Sequence, residues 1–457
     1  METTPSLVQS REQLREALSA GNLPLLDQLL AGLRSADLAE ILASLLADNS
    51  DPSACLQLLE SLPLPRQASV LGHLPAPDQL RLATALPDAR LLALLEEMSS
   101  DEAADLFNLL DLDYQEVLLR DMAQRERDDI KHLAAYEEGS AGAIMTSDYV
   151  SIPCGLTVAD AMLQVRRTAP DAETVYQIYV VDGAGRLAGT LSLRQLIVAP
   201  ASASIDQIMI HDVIRVPVET EQETVAKLVA RYDLLALPVV DAEDRLVGIV
   251  THDDAMDVLE AEATEDIHKG MSIGQFDHGV NRAPLALLYR KRIFWLVLLV
   301  FGNLFSGAGI AHFEDTIASQ VALVFFLPLL IGSGGNAGAQ AATLTVRGLA
   351  TGDISMRDWS YLLGREMLVA LALGLTMALA VSPIGFMRGD DLLALVVALS
   401  MLSIVVFGSL LGMCLPFVLD RLGWDPATAS APLVTTVIDA SGVIIYFTIA
   451  TAILMAP

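Results

Sequence analysis

The sequence predicts a multidomain protein with an all-α N-terminal superhelix, a tandem α/β pair, an acidic connecting helix and an α-helical transmembrane domain of five spans. Three patterns support this fold class. Leucine–proline pairs recur every 12 residues near the N-terminus, one module occurs twice with offsets of 64 and 59 residues, and five long apolar stretches follow. Each stretch is long enough to cross a bilayer as a helix.

The charge of the chain is divided in the same way. Residues 285–457 hold 10 of the 57 acidic and 8 of the 28 basic residues, so residues 1–284 have a net charge of −27. A front this acidic excludes a nucleic-acid partner, which would need a basic face. It suits cations, and solubility is the alternative explanation of the excess.

Cysteine usage and the N-terminus indicate a cytoplasmic front. Three widely separated cysteines provide neither a disulfide framework nor a metal-ligand spacing. The first residues contain no apolar stretch of the kind that a cleaved signal peptide has. We therefore expect the internal apolar segments to direct insertion and the long N-terminal part to stay in the cytoplasm.

Residues 1–136 are expected to form a helical superhelix. The leucine–proline pairs begin at Leu62, Leu74 and Leu86, and proline is tolerated in a helix only within the first turn. The period therefore predicts short helices of about two turns that stack on one another.

Two carboxylates in this domain are candidates for cation binding. Asp101 and Asp105 follow a helix-start pattern at Ser99 and are spaced to share one face of that helix. They are interpreted either as favourable charges near a helix N-terminus or as half of a cation site that another domain completes.

Residues 137–200 and 201–252 are expected to be two copies of one domain. Both copies contain a Val-Val-Asp turn followed by Arg-Leu-x-Gly. The β-branched runs between turn residues predict strands, and each copy is predicted in the order helix, strand, strand, turn, strand, helix. The copies resemble a tandem pair of CBS domains, which pack into one α/β body and often bind adenine nucleotides.

The resemblance to CBS domains implies a nucleotide site. In that family a Thr or Ser and an Asp three residues later contact the ribose, and Thr251 with Asp254 fits this pattern. The first copy has Ser192 and Gln195 at these positions and lacks the Asp. The resemblance therefore implies at most one ATP-type site per chain, and a purely structural CBS pair is the alternative.

Residues 253–283 are expected to form an acidic helix and then a hinge. Seven carboxylates precede Lys269 without Gly or Pro, in a composition that favours helix, and glycines in residues 270–283 predict the hinge. A solvated face is the usual explanation of such a charge run. The alternative is that divalent cations such as Mg²⁺ neutralise the helix and set its position. The seven carboxylates are Asp253, Asp254, Asp257, Glu260, Glu262, Glu265 and Asp266.

Residues 284–457 are expected to form the transmembrane domain. Basic residues precede the first span and follow the second, and the connection between these spans has none. The positive-inside rule therefore places the N-terminus in the cytoplasm and the C-terminus outside. The predicted spans are 292–312, 318–344, 361–385, 391–419 and 430–455.

The fifth span contains the carboxylate of Asp439, and we expect no second carboxylate deep in any span. A carboxylate at membrane depth costs about 2.5–3.5 kcal/mol on insertion scales and marks a functional site by default. Its partner would be a set of protein hydrogen-bond donors, a bound cation or a proton; a structural aspartate paired with a neighbouring helix is the alternative. Small and polar residues over 332–343 of the second span permit close helix approach or local unwinding.

Taken in this order, the parts resemble the MgtE family of magnesium channels and transporters over essentially the whole chain. The motifs that support the resemblance are Gly335-Asn-Ala-Gly-Ala-Gln340, Ala261-Glu-Ala-Thr-Glu-Asp-Ile-His-Lys269 and Pro432-Leu-Val-Thr-Thr-Val-Ile-Asp439. The resemblance implies a homodimer in the bacterial inner membrane, surrounded by lipid, with a pore on its two-fold axis lined by spans two and five. It implies that Asp439 binds a hydrated Mg²⁺. The other implied pore residues are Asn336, Gln340, Thr435 and Thr436.

The resemblance also implies regulation by the transported ion. In the family, cytosolic Mg²⁺ bridges the N-terminal domain, the CBS pair and the acidic helix and so holds the pore shut. The regulatory ligands that it implies here are Asp101, Asp105, Glu221, Glu223, Asp233, Asp254, Asp257, Glu262, Glu265, Asp266 and Asp425.

Two other classes of function stay open at this point. One is an ion-coupled carrier of divalent cations, with Mn²⁺ and Co²⁺ as further substrates. The other is a membrane-anchored metal or nucleotide sensor without transport. An enzyme is not expected, because the sequence contains no nucleophile–base pair and no phosphate-binding loop.

Overall fold

The computed structural model describes residues 7–19, 23–48, 52–273, 285–388 and 391–455. It divides into two compact units, Met1–Ala261 and Glu262–Pro457, and each is described by itself. The first unit contains a helical part and two small sheets, and the second unit is helical. This order of elements agrees with the predicted fold class.

The N-terminal part of the first unit is a series of short helices. Their starts keep the 12-residue period, because the N-cap positions of the last six are Pro63, Pro75, Pro87, Ser99, Asp111 and Ala123. Proline fits there because the first turn of a helix does not use its own N–H groups. The predicted short stacked helices are confirmed. The helices are α1 (Leu7–Ser19), α2 (Leu23–Gly32), α3 (Ser35–Asp48), α4 (Ser53–Glu60), α5 (Leu64–Gly72), α6 (Ala76–Ala83), α7 (Asp88–Leu95), α8 (Ser100–Leu109), α9 (Leu112–Asp121) and α10 (Gln124–Leu133).

The same period sets the core and the helix ends of this part. Gln67 Nε2 donates to the Leu62 carbonyl at 2.6 Å, and 12 residues later Gln79 Nε2 donates to the Leu74 carbonyl at 2.9 Å. These bonds satisfy carbonyl groups that the end of a short helix leaves open. Among the apolar positions that are buried in every repeat is the one occupied by Leu58, Val70, Leu82, Leu94, Leu106, Leu118 and Ile130.

Two three-stranded sheets form the rest of the first unit. In each sheet the first strand pairs in parallel with the second, and the second pairs antiparallel with the third. The bridges Thr146–Ile249 and Thr190–Ile210 join each copy to the last strand of the other, so the two copies form one body. The strands are β1 (Tyr149–Pro153), β2 (Thr174–Val181), β3 (Leu187–Ser192), β4 (Val216–Pro217), β5 (Ala236–Val240) and β6 (Leu246–Thr251).

The predicted order of elements is wrong in two respects. The pattern predicts a helix at the start of the first copy, but residues 137–148, which precede β1, contain none. The helices α11 (Val158–Thr168) and α14 (Gln222–Arg231) lie between the first and second strands, where the strand-rich pattern predicts no helix. Parallel strands need a crossover connection, and in the first copy Val158, Ala161 and Val165 give that connection a buried apolar face. Two shorter helices, α12 (Leu193–Val198) and α13 (Ile205–Ile208), complete the pair.

The predicted acidic helix is confirmed as α15 (His252–Gly270), which begins directly after β6 and continues without interruption. Its first half belongs to the first unit and its second half to the other. Residues 271–273 follow it, and the remainder of the predicted hinge, 274–283, lies outside the described residues.

The described part of the second unit has five helices that are long and apolar enough to cross a membrane, and they coincide with the five predicted spans. The first begins at Leu285 instead of residue 292, so the basic group Arg290-Lys-Arg292 lies inside the helix. Long basic side chains reach a polar interface from within a helix. The helices are α16 (Leu285–His312), the short α17 (Glu314–Ser319), α18 (Ala322–Ala350), α19 (Trp359–Arg388), α20 (Asp391–Arg421) and α21 (Ala431–Leu454).

Helices α18 and α20 meet through paired glycines. A Cβ atom on Gly412 would lie 2.0 Å from the Gly338 carbonyl oxygen, and a Cβ atom on Gly408 would lie 2.5 Å from the Gly334 carbonyl oxygen. Two glycines one turn apart on each helix therefore bring the backbones together, as small residues do in membranes. Of the two interpretations of the second span, close helix approach is observed, and α18 is helical from Ala322 to Ala350.

This contact predicts a specific loss of stability. Gly412→Ala should destabilise the second unit by about 1–3 kcal/mol, because the added methyl group meets backbone that has little freedom to move. The measurement is thermal unfolding in detergent followed by tryptophan fluorescence, since all three tryptophans lie in this unit. Gly364→Ala on α19 is the control, because its Cβ atom would meet nothing within 4 Å. Equal melting temperatures for the two variants would contradict the packing described here.

Candidate cation sites

Carboxylates from two helices of the first unit meet at one interface. Ala104 of α8 is buried in the same apolar cluster as Ala255 of α15. This contact holds the two helices together, so that Asp101 and Asp105 of α8 interact electrostatically with Asp254 of α15. The predicted pair Asp101 and Asp105 therefore lies against the acidic helix, as a shared cation site requires.

These carboxyl groups are desolvated and repel one another. Burial raises the pKa of Asp101 and Asp105 to about 6 and that of Asp254 to about 7. After burial, Asp101 contributes most to the shift at Asp254, and Asp254 contributes most at Asp105. Asp101 is only 8% exposed, and its Oδ1 has no hydrogen-bond partner in the described part of the chain. Because desolvated carboxylates are unfavourable when ionised, protons or a bound cation would stabilise this interface.

Glu173 belongs to the same cluster, and the sequence does not identify it. It lies directly before β2, and its backbone N–H donates to the Asp148 carbonyl at 2.8 Å. Burial raises its pKa to about 8, with Asp101 as the next cause. No spacing pattern marks a single loop residue that reaches the interface only after folding.

The cluster is not a preformed metal site. Within the described ranges, no three His, Cys, Asp or Glu side chains are grouped closely enough to hold a metal ion. Asp257, one turn beyond Asp253 on α15, has a pKa that burial and then Asp253 raise, while His73 opposes the shift. The acids therefore share one interface without forming a complete ligand set.

The predicted ligands of the second copy lie at the ends of α14, away from this cluster. Glu221 is the N-cap residue, and Glu223 in the first turn pairs with Lys227 at 2.7 Å. Asp233 follows the helix with a φ of 50°. Within the described residues, the main electrostatic interactions of the Asp101, Asp105 and Asp254 carboxylates do not include these three groups.

The predicted nucleotide residues contact each other at the start of a helix. The Thr251 hydroxyl donates to the Asp254 carboxylate at the start of α15. Ser192 and Gln195 occupy the same positions in the first copy, where they form a capping box at the start of α12. Asp254 is thus held by Thr251 on one side and interacts with Asp101 on the other.

The second half of the acidic helix reaches the loop before α21 within the second unit. Lys269 Nζ donates to Asp425 Oδ2 at 2.5 Å and also pairs with Glu265 one turn earlier. Partial burial lowers the pKa of Lys269, but the hydrogen bonds to these two carboxylates outweigh it and raise that pKa above its ordinary value. Glu265 and Asp425, both predicted ligands, are therefore brought together, whereas Glu262 and Asp266 lie on the same helix at other positions.

Asp439 lies near the middle of α21 and is half-buried. Among the described residues, no hydrogen bond or ion pair engages its carboxylate. The hydroxyl groups of Thr435 and Thr436 donate to the Pro432 carbonyl at 3.0 and 2.8 Å, within their own helix. On α18, Asn336 is exposed, and so is Gln340 one turn later.

A second carboxylate lies within a candidate span, in the N-terminal third of α19. Glu366 is inside the third candidate span, Met356–Met387, and the buried hydroxyl of Ser409 on α20 donates to its carboxylate. Glu366 follows Arg365 in the sequence, and two adjacent charged residues are typical of the polar end of a membrane helix. The sequence therefore does not identify Glu366 as a carboxylate within a span. Its partner Ser409 is distant in sequence and reaches Glu366 only when α19 packs against α20.

The first-unit cluster predicts a pH dependence in metal-free solution. Unfolded Asp and Glu titrate near 4, and the folded pKa values are raised to between about 6 and 8. The folded state therefore binds more protons and gains stability as pH falls from about 8 to about 5. The measurement is amide hydrogen exchange of α8 in the full-length protein with chelator, corrected for intrinsic exchange rates. This exchange should slow by about tenfold as the pH falls from about 8 to about 5.

A matched pair of variants tests the origin of this pH dependence. Glu173→Gln should reduce it, because one buried titrating group is lost, whereas Glu96→Gln should leave it unchanged because Glu96 is exposed. Faster corrected exchange at lower pH in the parent protein would contradict the description of the cluster.

Family models match most of the chain. Residues 33–139 match the model of the MgtE intracellular N domain, residues 141–202 and 205–261 match the CBS domain, and residues 327–449 match the MgtE divalent cation transporter domain. A crystal structure of the cytosolic domain of the Mg²⁺ channel MgtE in complex with ATP is 42% identical. Its TM-score is 0.51, and the match covers 54% of this chain and 99% of that one.

Two curated relatives match both the cytosolic domains and the membrane part. The magnesium transporter MgtE of Thermus thermophilus is 42% identical over 446 residues, which are 97% of this chain and 98% of that protein. The magnesium transporter MgtE of Bacillus subtilis is 35% identical over 384 residues, which are 84% of this chain and 85% of that protein. These matches confirm the resemblance, the predicted fold class and the expectation of a transporter instead of an enzyme. The chain belongs to the MgtE family of magnesium transporters.

Proposed function

We propose that this protein is a Mg²⁺-selective channel that imports Mg²⁺ into the cytoplasm and is closed by cytosolic Mg²⁺. Transport is supported by one observation. Asp439 is a carboxylate near the middle of a membrane-spanning helix and has no hydrogen-bond or ion-pair partner in the described part of the chain. A carboxylate in that position is stabilised by water and a cation. Relatives named as magnesium transporters make Mg²⁺ the cation that we assign to it.

The pore forms between two copies of the chain in this proposal. Asn336 and Gln340 are polar and exposed on a membrane-spanning helix, an arrangement that is unfavourable against lipid. A second copy across a two-fold axis would cover them and enclose a water-filled path that includes Thr435, Thr436 and Asp439. Mg²⁺ loses its waters reluctantly, so Asp439 and its symmetry mate would hold the ion through its hydration shell.

Packing within one chain supports the same path. A Cβ atom on Gly335 would lie 3.3 Å from the Thr435 methyl group, so α18 approaches α21 closely one turn from Asp439. The Thr436 methyl group lies against Gly302 of α16, 2.5 Å from where a Cβ atom would be. Both methyl groups therefore contact a neighbouring helix, which fixes the position of this part of α21 and so of Asp439.

Closure by cytosolic Mg²⁺ follows from the acidic interfaces. An ion that binds the desolvated carboxylates Asp101, Asp105 and Asp254 would offset their repulsion and stabilise the compact arrangement of α8 and α15. In our proposal the further regulatory ligands are Glu221, Glu223, Asp233, Asp257, Glu262, Glu265, Asp266 and Asp425. When Mg²⁺ falls, the carboxylates repel and the acidic helix leaves the pore entrance, because a ligand favours the state that it binds more tightly.

ATP is a second ligand in this proposal. A relative's cytosolic domain was crystallised with ATP, and we assign the site here to the second CBS copy, at Thr251 and Asp254. Asp254 also belongs to the acidic cluster, so nucleotide and cation would influence each other's binding. This linkage is reciprocal by thermodynamic necessity.

The proposed orientation has the N-terminal and CBS domains in the cytoplasm and the C-terminus outside the inner membrane. Five spans and the distribution of basic residues support it. A membrane potential that is negative inside then drives Mg²⁺ inward by about 4.6 kcal/mol per 100 mV for a charge of +2.

The prediction for the pore is loss of uptake on removal of one charge. Asp439→Asn should lower Mg²⁺ uptake into liposomes by at least about tenfold, because the isosteric amide keeps the shape and removes the anionic partner of the ion. Asp353→Asn, at an exposed position after α18, is the matched control and should transport like the parent. Both proteins should elute at the same position in detergent. Parental uptake by Asp439→Asn would exclude Asp439 as the pore ligand.

A further inference from the structure

We propose that Lys269 acts as a tethered cation that favours docking of the end of the acidic helix on the start of α21, so that a minor fraction of chains keeps this contact when Mg²⁺ is absent. Mg²⁺ would then strengthen a contact that already exists instead of creating it. The inference deepens the proposed gating function and rests on it, because docking of this helix is taken there to close the pore.

The contact joins parts of the chain that are far apart in sequence. Lys269 Nζ lies 2.5 Å from Asp425 Oδ2, across 156 residues, and also pairs with Glu265 on its own helix. Asp425 is fixed in orientation because its Oδ1 accepts from the Ala427 N–H at 2.8 Å. An ordinary helix-surface pair would involve Glu265 alone, so the bond to Asp425 is the one that sets the position of the helix.

A second contact lies beside the first and is shielded from water. The Ser272 and Ser430 hydroxyl oxygens are 2.6 Å apart, and the two residues are only 7% and 2% exposed. Ser430 is the N-cap residue of α21, the helix that contains Asp439. Ser272 has a φ of 55°, so the chain turns sharply after Gly270 to make this contact.

The charge balance explains why both the lysine and Mg²⁺ have a role. One ammonium group between the two carboxylates of Glu265 and Asp425 leaves a net charge of −1 on these three groups. Lys269 can therefore hold the two carboxylates together, but one positive charge does not neutralise both of them. A divalent cation still gains by binding there, and it competes with the lysine for the same oxygens.

The competition predicts two opposite effects of Lys269→Met. Without Mg²⁺ the helix should dock less, because the ammonium group that bridges Glu265 and Asp425 has been removed. With Mg²⁺ the docking should recover, because the site has become more negative and the lysine no longer competes. Lys269→Arg keeps the charge and should behave like the parent.

Disulfide cross-linking measures docking without any transport. Ser272→Cys and Ser430→Cys would be introduced after replacing Cys55, Cys154 and Cys414 by serine, since the short Ser272–Ser430 distance suits a disulfide. In the full-length protein with chelator, Lys269→Met should slow cross-linking by roughly threefold, as expected for a partly exposed ion pair. Saturating Mg²⁺ should restore the parental rate, which also shows that the variant is folded.

Lys131→Met is the control for loss of a lysine, because Lys131 is exposed on α10. Its cross-linking rate should equal that of the parent. A Lys269→Met rate in chelator that equals the parental rate, or a Lys269→Arg rate as low as that of Lys269→Met, would overturn the inference. Cross-linking that follows the prediction while flux is independent of Mg²⁺ would contradict the gating proposal and leave the docking inference intact.

Discussion

The structure depends on carboxylates that are brought together where water is scarce. In the first unit, the apolar contact between Ala104 and Ala255 holds α8 against α15 and so places Asp101 beside Asp254. Apolar burial stabilises this arrangement while the ionised carboxylates oppose it. The balance therefore depends on what neutralises the acids, and this dependence supports the proposal that cations control the interface.

Carboxylates that are removed from water also occur in the second unit, and each has a different partner. At the end of α15, Lys269 supplies the positive charge between Glu265 and Asp425. Within the membrane helices, Ser409 donates a hydrogen bond to Glu366. Asp439 has no such partner among the described residues, and this difference between two carboxylates in spanning helices supports the assignment of the transported ion to Asp439.

Close helix packing gives this arrangement its rigidity. The glycine pairs Gly334 and Gly338 on α18 and Gly408 and Gly412 on α20 bring two backbones together, and Gly335 brings α18 close to Thr435 of α21. A helix that is fixed on both sides keeps its polar residues at constant depth. A mobile gate is then expected in the parts held by charge, namely α15 and the loop before α21, because charged contacts respond to ion concentration and glycine packing does not.

Features that repeat along the chain could be predicted from the sequence, and features created by folding could not. The 12-residue period fixed by Pro63, Pro75 and Pro87 predicted the short helices, and helical spacing placed Asp101 and Asp105 on one face. Glu173 was missed because a single loop residue has no periodic signal. The partners of Glu366 and Lys269 were missed because Ser409 and Asp425 are distant in sequence. The crossover helices α11 and α14 were missed because β-branched residues dominate the pattern around them.

Mg²⁺ flux into liposomes at several lumenal Mg²⁺ concentrations tests the central claim most directly. With the cytoplasmic face inward, the parent protein should conduct at low lumenal Mg²⁺ and close steeply as it rises. A variant with Glu262→Gln, Glu265→Gln and Asp266→Asn should keep conducting at concentrations that close the parent, because the acidic helix can no longer bind the ion that holds it in place. Parental flux that does not change with lumenal Mg²⁺, or a variant that closes over the same concentrations as the parent, would contradict the account.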